Sequence, residues 1–76
     1  MTSVKGAHFG GRLRCLRLKR EWTLAELATR AGMSRTQVGR LERGESDPRL
    51  SAIQKLATAL GVDAATLIQG LPVPAL

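Results

Sequence analysis

Residues 23–44 read TLAELATRAGMSRTQVGRLERG and decide the fold of this chain of 76 residues. Thr23 stands three positions before Glu26, which is the spacing of a capping box and predicts that a helix begins there. Apolar residues then recur at helical spacing, and Gly32 is expected to end the helix in a left-handed turn. The first half of the stretch is therefore predicted to form one short helix.

A second short helix is expected directly after the first. Ser34 is a suitable N-cap, Val38 and Leu41 share one face, and Gly44 is expected to end the helix near residue 43. A connection of about three or four residues that contains glycine and joins two short helices is typical of a helix-turn-helix unit. The stretch therefore predicts such a unit.

The residues before this unit are predicted to form an arm and one helix. Residues 1–8 show no periodicity and are expected to be a flexible N-terminal arm. Apolar residues at spacings of three and four predict an amphipathic helix over about 9–20, and they are Phe9, Leu13 and Leu16. Gly10 and Gly11 are expected to mark the start of that helix.

The residues after the unit predict two more helices and a tail. Residues 44–49, GESDPR, combine turn-forming types and predict an extended link. Ser51 is expected to cap a helix that ends at Gly61 and carries on one face Ile53, Leu56, Ala57 and Leu60. A last short helix is predicted over about 64–69, opened by Asp63, and the prolines leave 71–76 as an extended C-terminal tail.

The positive charge is concentrated in one part of the chain. The formal net charge is +6 and the sequence pI is about 11.2. Residues 1–43 hold ten Lys or Arg against three Glu, whereas residues 44–76 hold two against three acidic residues. A basic balance indicates either a polyanionic partner or a contribution to solubility alone, and its concentration at one end favours the partner.

The composition of the chain does not favour an enzyme or a metal site. The single Cys15 and the single His8 allow no internal disulfide and offer too few ligands for structural zinc. The carboxylates are not clustered, and no glycine-rich phosphate loop is present, so we expect no catalysis and no cofactor. No apolar run approaches the roughly 18 residues of a membrane span, and a signal-peptide core is missing. We therefore expect a soluble, cytoplasmic protein.

Residues 23–62, which end in GESDPRLSAIQKLATALGV, resemble the phage-repressor and Cro-like helix-turn-helix family, also called XRE-like. In the helix-turn-helix stretch the matching positions are the small Ala28, the turn glycine Gly32 and the apolar pair Val38 and Leu41. After them the match continues through Glu42 and Gly44 at the end of the second helix, Pro48, and the segment LATALGV over 56–62. The resemblance covers about 9–70. It implies an all-α, five-helix, lambda-repressor-like DNA-binding domain with the helix-turn-helix at the second and third helices.

The same resemblance implies how the chain would contact double-stranded DNA. Val38 and Leu41 would fasten the third helix to the core, and its outward face would enter the major groove. The expected base-reading residues are Arg35, Thr36, Gln37 and Arg40, although Gln37 is equally suited to a phosphate. An Arg can bridge O6 and N7 of guanine, so a guanine in the half-site is expected.

Phosphate contacts are expected from the groups that flank the base-reading face, namely Thr23, Leu24, Ser34 and Arg43. The first two would contribute backbone amides at the start of a helix. Many relatives carry Gln where this chain has Leu24, and a Leu side chain cannot donate a hydrogen bond. Leu24 is therefore expected to pack on a sugar or a thymine methyl, or to leave that end of the interface weaker.

Several residues are expected to serve the structure. Ala28 is small because the helices of the motif would cross near it. Arg17 and Glu42 occupy positions that resemble the interhelical ion pair of the family, and the alternative is two separate surface charges. Trp22 precedes the Thr23 cap, where it is expected to form a hydrophobic staple without any stacking role.

One such domain reads too few base pairs for specificity in a genome, so a dimer is expected. The apolar C-terminal residues offer a surface for pairing. The candidates for pairing are Leu67, Ile68 and Leu71, with Leu67 equally suited to the core of the monomer. We therefore expect a transcriptional regulator, a repressor or controller, that binds a palindromic operator as a homodimer. The alternatives are an antitoxin and a protein- or RNA-interaction module, and no small-molecule ligand is expected.

Overall fold

The computed structural model describes residues 4–68, with side chains from residue 9 onward. Within this part of the chain the regular structure is entirely α-helical, which confirms the predicted all-α fold. The helices are α1 (Val4–Lys19), α2 (Leu24–Ala31), α3 (Arg35–Glu42), α4 (Leu50–Leu60) and α5 (Ala64–Ile68). None of these helices is long and apolar enough to cross a membrane.

The start of α1 differs from the prediction. The helix begins at Val4 rather than at about Phe9, so residues 4–8 of the expected arm are helical. The apolar periodicity starts at Phe9 because this side chain, 0% exposed, is the first described one to enter the core. A helix continues beyond its last core contact at little cost, since each added residue gains one hydrogen bond.

Gly10 lies inside α1 and not at its start as expected. A Cβ atom at this position would overlap the backbone carbonyl oxygens of Leu41 and Glu42 at the end of α3, whereas a Cβ on Gly11 would meet nothing within 4 Å. The two glycines therefore differ, and the close approach of α1 to α3 depends on the absence of a side chain at Gly10 alone.

Both helices of the central unit begin with a capping box. The Thr23 hydroxyl oxygen accepts a hydrogen bond from the Glu26 N–H at 3.1 Å, and the Glu26 carboxylate accepts one from the Thr23 N–H at 3.0 Å. The Ser34 hydroxyl and the Gln37 side chain make the equivalent pair at 3.1 and 3.0 Å. The predicted caps are confirmed, and the second box adds a role for Gln37.

The turn between α2 and α3 consists of Gly32, Met33 and Ser34. Gly32 has φ 67° and ψ 34°, the left-handed conformation that glycine adopts without steric cost. The Met33 N–H donates to the Ala28 carbonyl oxygen at 2.9 Å, which closes the turn. The predicted helix-turn-helix is thus confirmed.

The end of α3 is a Schellman motif, in which two orphan carbonyl groups are satisfied by the chain that follows. Gly44, with φ 72°, donates its N–H to the Leu41 carbonyl oxygen at 3.2 Å. The N–H of Glu45 donates to the Arg40 carbonyl oxygen at 2.9 Å. This motif holds the backbone of Glu45 against the last turn of α3.

α4 begins one residue after Arg49, which is its N-cap and makes no side-chain capping bond. The prediction that Ser51 caps this helix is wrong, since Ser51 lies within its first turn. Pro48 favours extended backbone on its N-terminal side, and Arg49 is still extended with φ −87° and ψ 156°. The helix starts at Leu50, as soon as the extended link ends.

The core lies between all five helices of the described chain. Its fully buried side chains are Phe9, Leu13, Leu27, Val38, Leu56, Leu60 and Leu67. Leu67 is 0% exposed, so its selection as a dimer residue is wrong: α5 uses this side chain to close the core of the monomer. Arg20 joins two helix ends, because its guanidinium donates to the carbonyl oxygens of Leu16 and Leu60.

Candidate nucleic-acid interface

The outward face of α3 carries basic and polar side chains. Val38 is 0% and Leu41 5% exposed, so the inner face of the helix is packed and the helix cannot rotate without disrupting the core. All five residues predicted to point outward are exposed, and they are Arg35, Thr36, Gln37, Arg40 and Arg43. These side chains present hydrogen-bond donors to solvent.

Three of these side chains follow one another along the helix. Thr36, Arg40 and Arg43 recur at spacings of four and three residues, which places them in one stripe. A helix of roughly 10–12 Å diameter fits a major groove roughly 12 Å wide. The stripe is therefore suited to reach base edges when α3 lies in that groove.

Gln37 and Ser34 are partly committed to each other by the capping box. The Gln37 side-chain oxygen accepts from the Ser34 N–H at 3.0 Å, and the Ser34 hydroxyl oxygen accepts from the Gln37 N–H at 3.1 Å. The side-chain amide N–H groups of Gln37 and the hydroxyl hydrogen of Ser34 are not used in these bonds. Both residues are therefore pre-positioned as donors, which suits phosphate oxygens and base acceptors alike.

The start of α2 offers backbone donors. The N–H groups of Leu24 and Ala25 precede the first hydrogen bond inside the helix and have no acceptor within it. The side chain of Leu24 is half-buried and packs against the core, so it is not free to serve a sugar or a thymine methyl alone. The group that Leu24 can offer to an anion is its backbone amide, next to the capped Thr23.

The ion pair expected between Arg17 and Glu42 is present. The Arg17 Nε atom donates to Glu42 Oε2 at 2.6 Å and Nη2 donates to Oε1 at 2.9 Å, while Nη1 donates to the Trp22 carbonyl oxygen at 2.7 Å. The two side chains are 10% and 6% exposed. The hydrogen bond to Glu42 raises the pKa of Arg17. The alternative of two separate surface charges is wrong, and the pair fixes α1 to the end of α3.

Trp22 makes a contact that the sequence did not indicate. The guanidinium carbon of Arg30 lies 4.3 Å from the centroid of its ring, and that of Arg20 lies 5.9 Å away. The 4.3 Å separation is a cation–π contact. The expectation that Trp22 has no stacking role is therefore wrong, although the ring also packs partly against the core.

A groove between the turn before α3, α3 itself and α4 is lined by two basic residues. Its lining includes Gln37, Arg49, Ser51 and Lys55. Arg49 and Lys55 are exposed, and sequence reasoning missed them because they lie outside the helix-turn-helix stretch. The signal that could have found them is that they are the only two Lys or Arg after residue 43.

Arg43 is held by a carboxylate next to the interface. Its Nε donates to Glu45 Oε2 at 2.6 Å and its Nη2 to Oε1 at 3.3 Å, although the side chains are 56% and 52% exposed. This hydrogen bonding lowers the pKa of Glu45 and raises that of Arg43. The Arg43 Nη1 lies 3.1 Å from where a Cβ on Gly39 would be. The guanidinium thus lies back along α3.

The apolar surface available for pairing differs from the prediction. Ile68 is 40% exposed and remains available, whereas Leu71 lies outside the described residues. Two further large apolar side chains are exposed, Leu18 at 51% and Leu50 at 69%.

Sequence comparison identifies relatives of this chain. A family model described as helix-turn-helix matches residues 13–67. The transcriptional regulator SutR of Escherichia coli K12 is 41% identical over 56 residues, a match that spans 74% of this chain and 32% of SutR. The immunity repressor protein of Bacillus phage phi105 is 32% identical over 59 residues, spanning 78% of this chain and 41% of the repressor. The chain thus covers less than half the length of either protein.

Two solved structures have similar folds over nearly the whole of their chains. The restriction-modification controller protein C.AhdI from Aeromonas hydrophila superposes with a TM-score of 0.83 at 38% identity, covering 86% of this chain and 98% of that one. The P22 c2 repressor protein, in complex with a synthetic operator, superposes with a TM-score of 0.75 at 29% identity, covering 82% and 94%.

Proposed function

The chain belongs to the helix-turn-helix family matched over residues 13–67, and we propose that it is a sequence-specific DNA-binding transcriptional regulator, a repressor or controller, that acts as a homodimer. The observation that carries the proposal is the outward face of α3, where exposed donors stand on a helix whose inner face is packed in the core. The operator bound by the P22 c2 repressor protein supports double-stranded DNA as the partner.

The residues proposed to read bases are Arg35, Thr36, Gln37 and Arg40. Arg40 and Thr36 lie in the central stripe of α3, where an Arg suits O6 and N7 of guanine and a Thr suits either a base acceptor or a thymine methyl. Arg35 and Gln37 flank the stripe. Because α3 is fixed by the core and by the pair between Arg17 and Glu42, the backbone that carries these side chains starts from a defined position and needs no reordering on binding.

Phosphate contacts are proposed on both sides of α3. On one side stand the backbone amides of Leu24 and Ala25, next to the capped Thr23, where the N-terminus of α2 attracts an anion, together with the Ser34 hydroxyl. On the other side the groove at α4 supplies Arg49 and Lys55. These contacts would orient the domain on the duplex without reading its sequence.

Dimerisation is proposed because a single α3 reads only a short half-site, and two-fold pairing on a palindrome doubles it. Ile68 is 40% exposed at the end of α5 and is the described candidate for the pairing surface. Leu71, from the sequence, continues the same apolar segment.

The test is selection of bound sequences from a random pool of duplexes, followed by titration of the winner and of a scrambled duplex at several salt concentrations. We expect an enriched palindrome with half-sites about ten base pairs apart that stays preferred as salt rises. Absence of enrichment, with binding that disappears at raised salt, would contradict the proposal and leave only unspecific attraction of a basic surface.

A further inference from the structure

The contact between Arg43 and Glu45 leaves one edge of the guanidinium available. Nε and Nη2 donate to the two carboxylate oxygens at 2.6 and 3.3 Å, so Glu45 occupies the side edge. Among residues 9–68 no hydrogen bond uses Arg43 Nη1. The end edge, formed by Nη1 and the second hydrogen of Nη2, can therefore still donate two parallel hydrogen bonds to another group.

The position of this guanidinium is set by Gly39 and by the end of α3. Side chains on a helix lean toward its N-terminus and cover the turn before their own Cα atom. Gly39 stands four residues before Arg43 and has no side chain, so Arg43 packs over it, with Nη1 3.1 Å from the position of a Cβ. Arg43 is thereby brought back along the stripe that Thr36 and Arg40 occupy.

The negative charge of Glu45 determines which kind of acceptor can bind to the end edge of the Arg43 guanidinium. A phosphate bound to Arg43 would stand close to Glu45, and two anions around one guanidinium repel each other. A guanine presents the O6 and N7 acceptors without a net charge, and an Arg end edge matches them in a bidentate contact. Glu45 thus disfavours the phosphate and tolerates the base.

We propose that Arg43 is a further base-reading residue that recognises guanine, and that Glu45 is the positioning residue that orients its guanidinium. This inference rests on the proposed function, because it requires α3 to lie in the major groove. It replaces the phosphate role that the sequence suggested for Arg43. The Schellman motif supports it, since the Glu45 N–H bonded to Arg40 at 2.9 Å fixes the backbone from which the carboxylate projects.

The experiment compares Arg43→Ala and Arg43→Lys with Arg49→Ala, an exposed arginine proposed to contact phosphate. Selection from random duplexes and salt-dependent titration are measured for each. For both Arg43 variants we expect the preference for guanine at one half-site position to fall about tenfold or more. Arg43→Lys should keep its salt dependence, whereas Arg49→Ala should keep the selected sequence and lower the salt slope by about one.

The positioning role is tested by Glu45→Gln, which preserves size and removes the negative charge. We expect a severalfold loss of preference at the same guanine, with all other positions unchanged, and a salt slope that is equal or steeper because the released Arg43 can reach a phosphate. Far-UV circular dichroism should match the wild type for every variant, since Arg43, Glu45 and Arg49 are exposed.

Two results would overturn the inference while leaving the proposed function intact. One is an Arg43→Ala variant that selects the wild-type sequence and loses about one unit of salt slope, which is the behaviour of a phosphate contact. The other is a Glu45→Gln variant with full guanine preference, which would remove the positioning role. A wild-type protein that selects no sequence would instead overturn the proposed function, and this inference with it.

Discussion

Two arginine–glutamate pairs lie at the end of α3, and each has an Nε to Oε2 distance of 2.6 Å. Arg17 and Glu42 are separated by 25 residues and are 10% and 6% exposed. Arg43 and Glu45 are two residues apart and are 56% and 52% exposed. The distance is the same, but the surroundings of the two pairs are opposite.

The comparison shows that the burial of an ion pair, and not its N–O distance, determines whether the pair stabilises the fold or is open to other hydrogen-bond partners. Water competes for an exposed pair and screens it, so the pair contributes little to stability. A largely buried pair has no such competitor, and the loss of one partner leaves the other charge uncompensated. The first pair therefore joins two helices, whereas the second is proposed to orient one side chain at the DNA interface.

The largest effect is expected from Glu42→Ala, which removes the carboxylate of the largely buried pair. Arg17 would keep its charge without its carboxylate, and we expect a loss of about 3 kcal/mol of unfolding free energy. Urea unfolding followed by circular dichroism measures it. Glu45→Ala is the matched control and should leave the unfolding midpoint almost unchanged. Equal losses in both variants would contradict the distinction between the pairs.

A smaller loss is expected from Gly10→Ala, which separates α1 from the end of α3 where the buried pair lies. The added methyl group would overlap two backbone carbonyl oxygens, and we expect a destabilisation of about 1–3 kcal/mol as the helices shift. Gly11→Ala is the control next to it in α1, where a Cβ has open space. Thermal unfolding should show it as stable as the wild type or more so, and equal behaviour of the two variants would argue against the close approach.

The smallest effect is expected from Glu26→Gln, which changes an exposed carboxylate like that of Glu45. The backbone hydrogen bond from Thr23 lowers the pKa of Glu26 below its ordinary value of 4.5. A lowered pKa means that the stabilisation is complete above the ordinary value and is lost as the pH falls below it. Unfolding midpoints measured from pH 7 downward should therefore decline slightly less in Glu26→Gln than in the wild type. An identical decline would show that this carboxylate does not contribute.

Sequence rules predicted the features that depend on near neighbours or on a family pattern. The caps at Thr23 and Ser34 follow from hydroxyl side chains placed just before a helix, and the turn at Gly32 follows from its position after an apolar run. The pair between Arg17 and Glu42 came from the family resemblance. Most of the groups proposed to contact DNA were also predicted from the family resemblance. Once Val38 and Leu41 are assigned to the inner face of α3, most of the remaining side chains of that helix must point outward.

The features that were missed depend on contacts that no local pattern carries. Gly10 is required by a backbone approach to α3, and only the burial of Leu67 decides between the two roles that the sequence left open for it. The cation–π contact of Trp22 and the place of Arg49 in the groove require the three-dimensional path of the chain. Glu45 was not singled out because its role depends on the conformation of a neighbouring side chain.

The central claim is that the outward face of α3 reads base sequence. The most direct measurement is the ratio of affinities for the selected duplex and a scrambled one, in the wild type and in Arg40→Ala, at constant salt. Lys19→Ala is the control, because Lys19 is an exposed cation on the side of α1 opposite Gly10. We expect the ratio to fall about tenfold or more in Arg40→Ala and to stay unchanged in Lys19→Ala. An equal ratio in all three proteins would contradict the account.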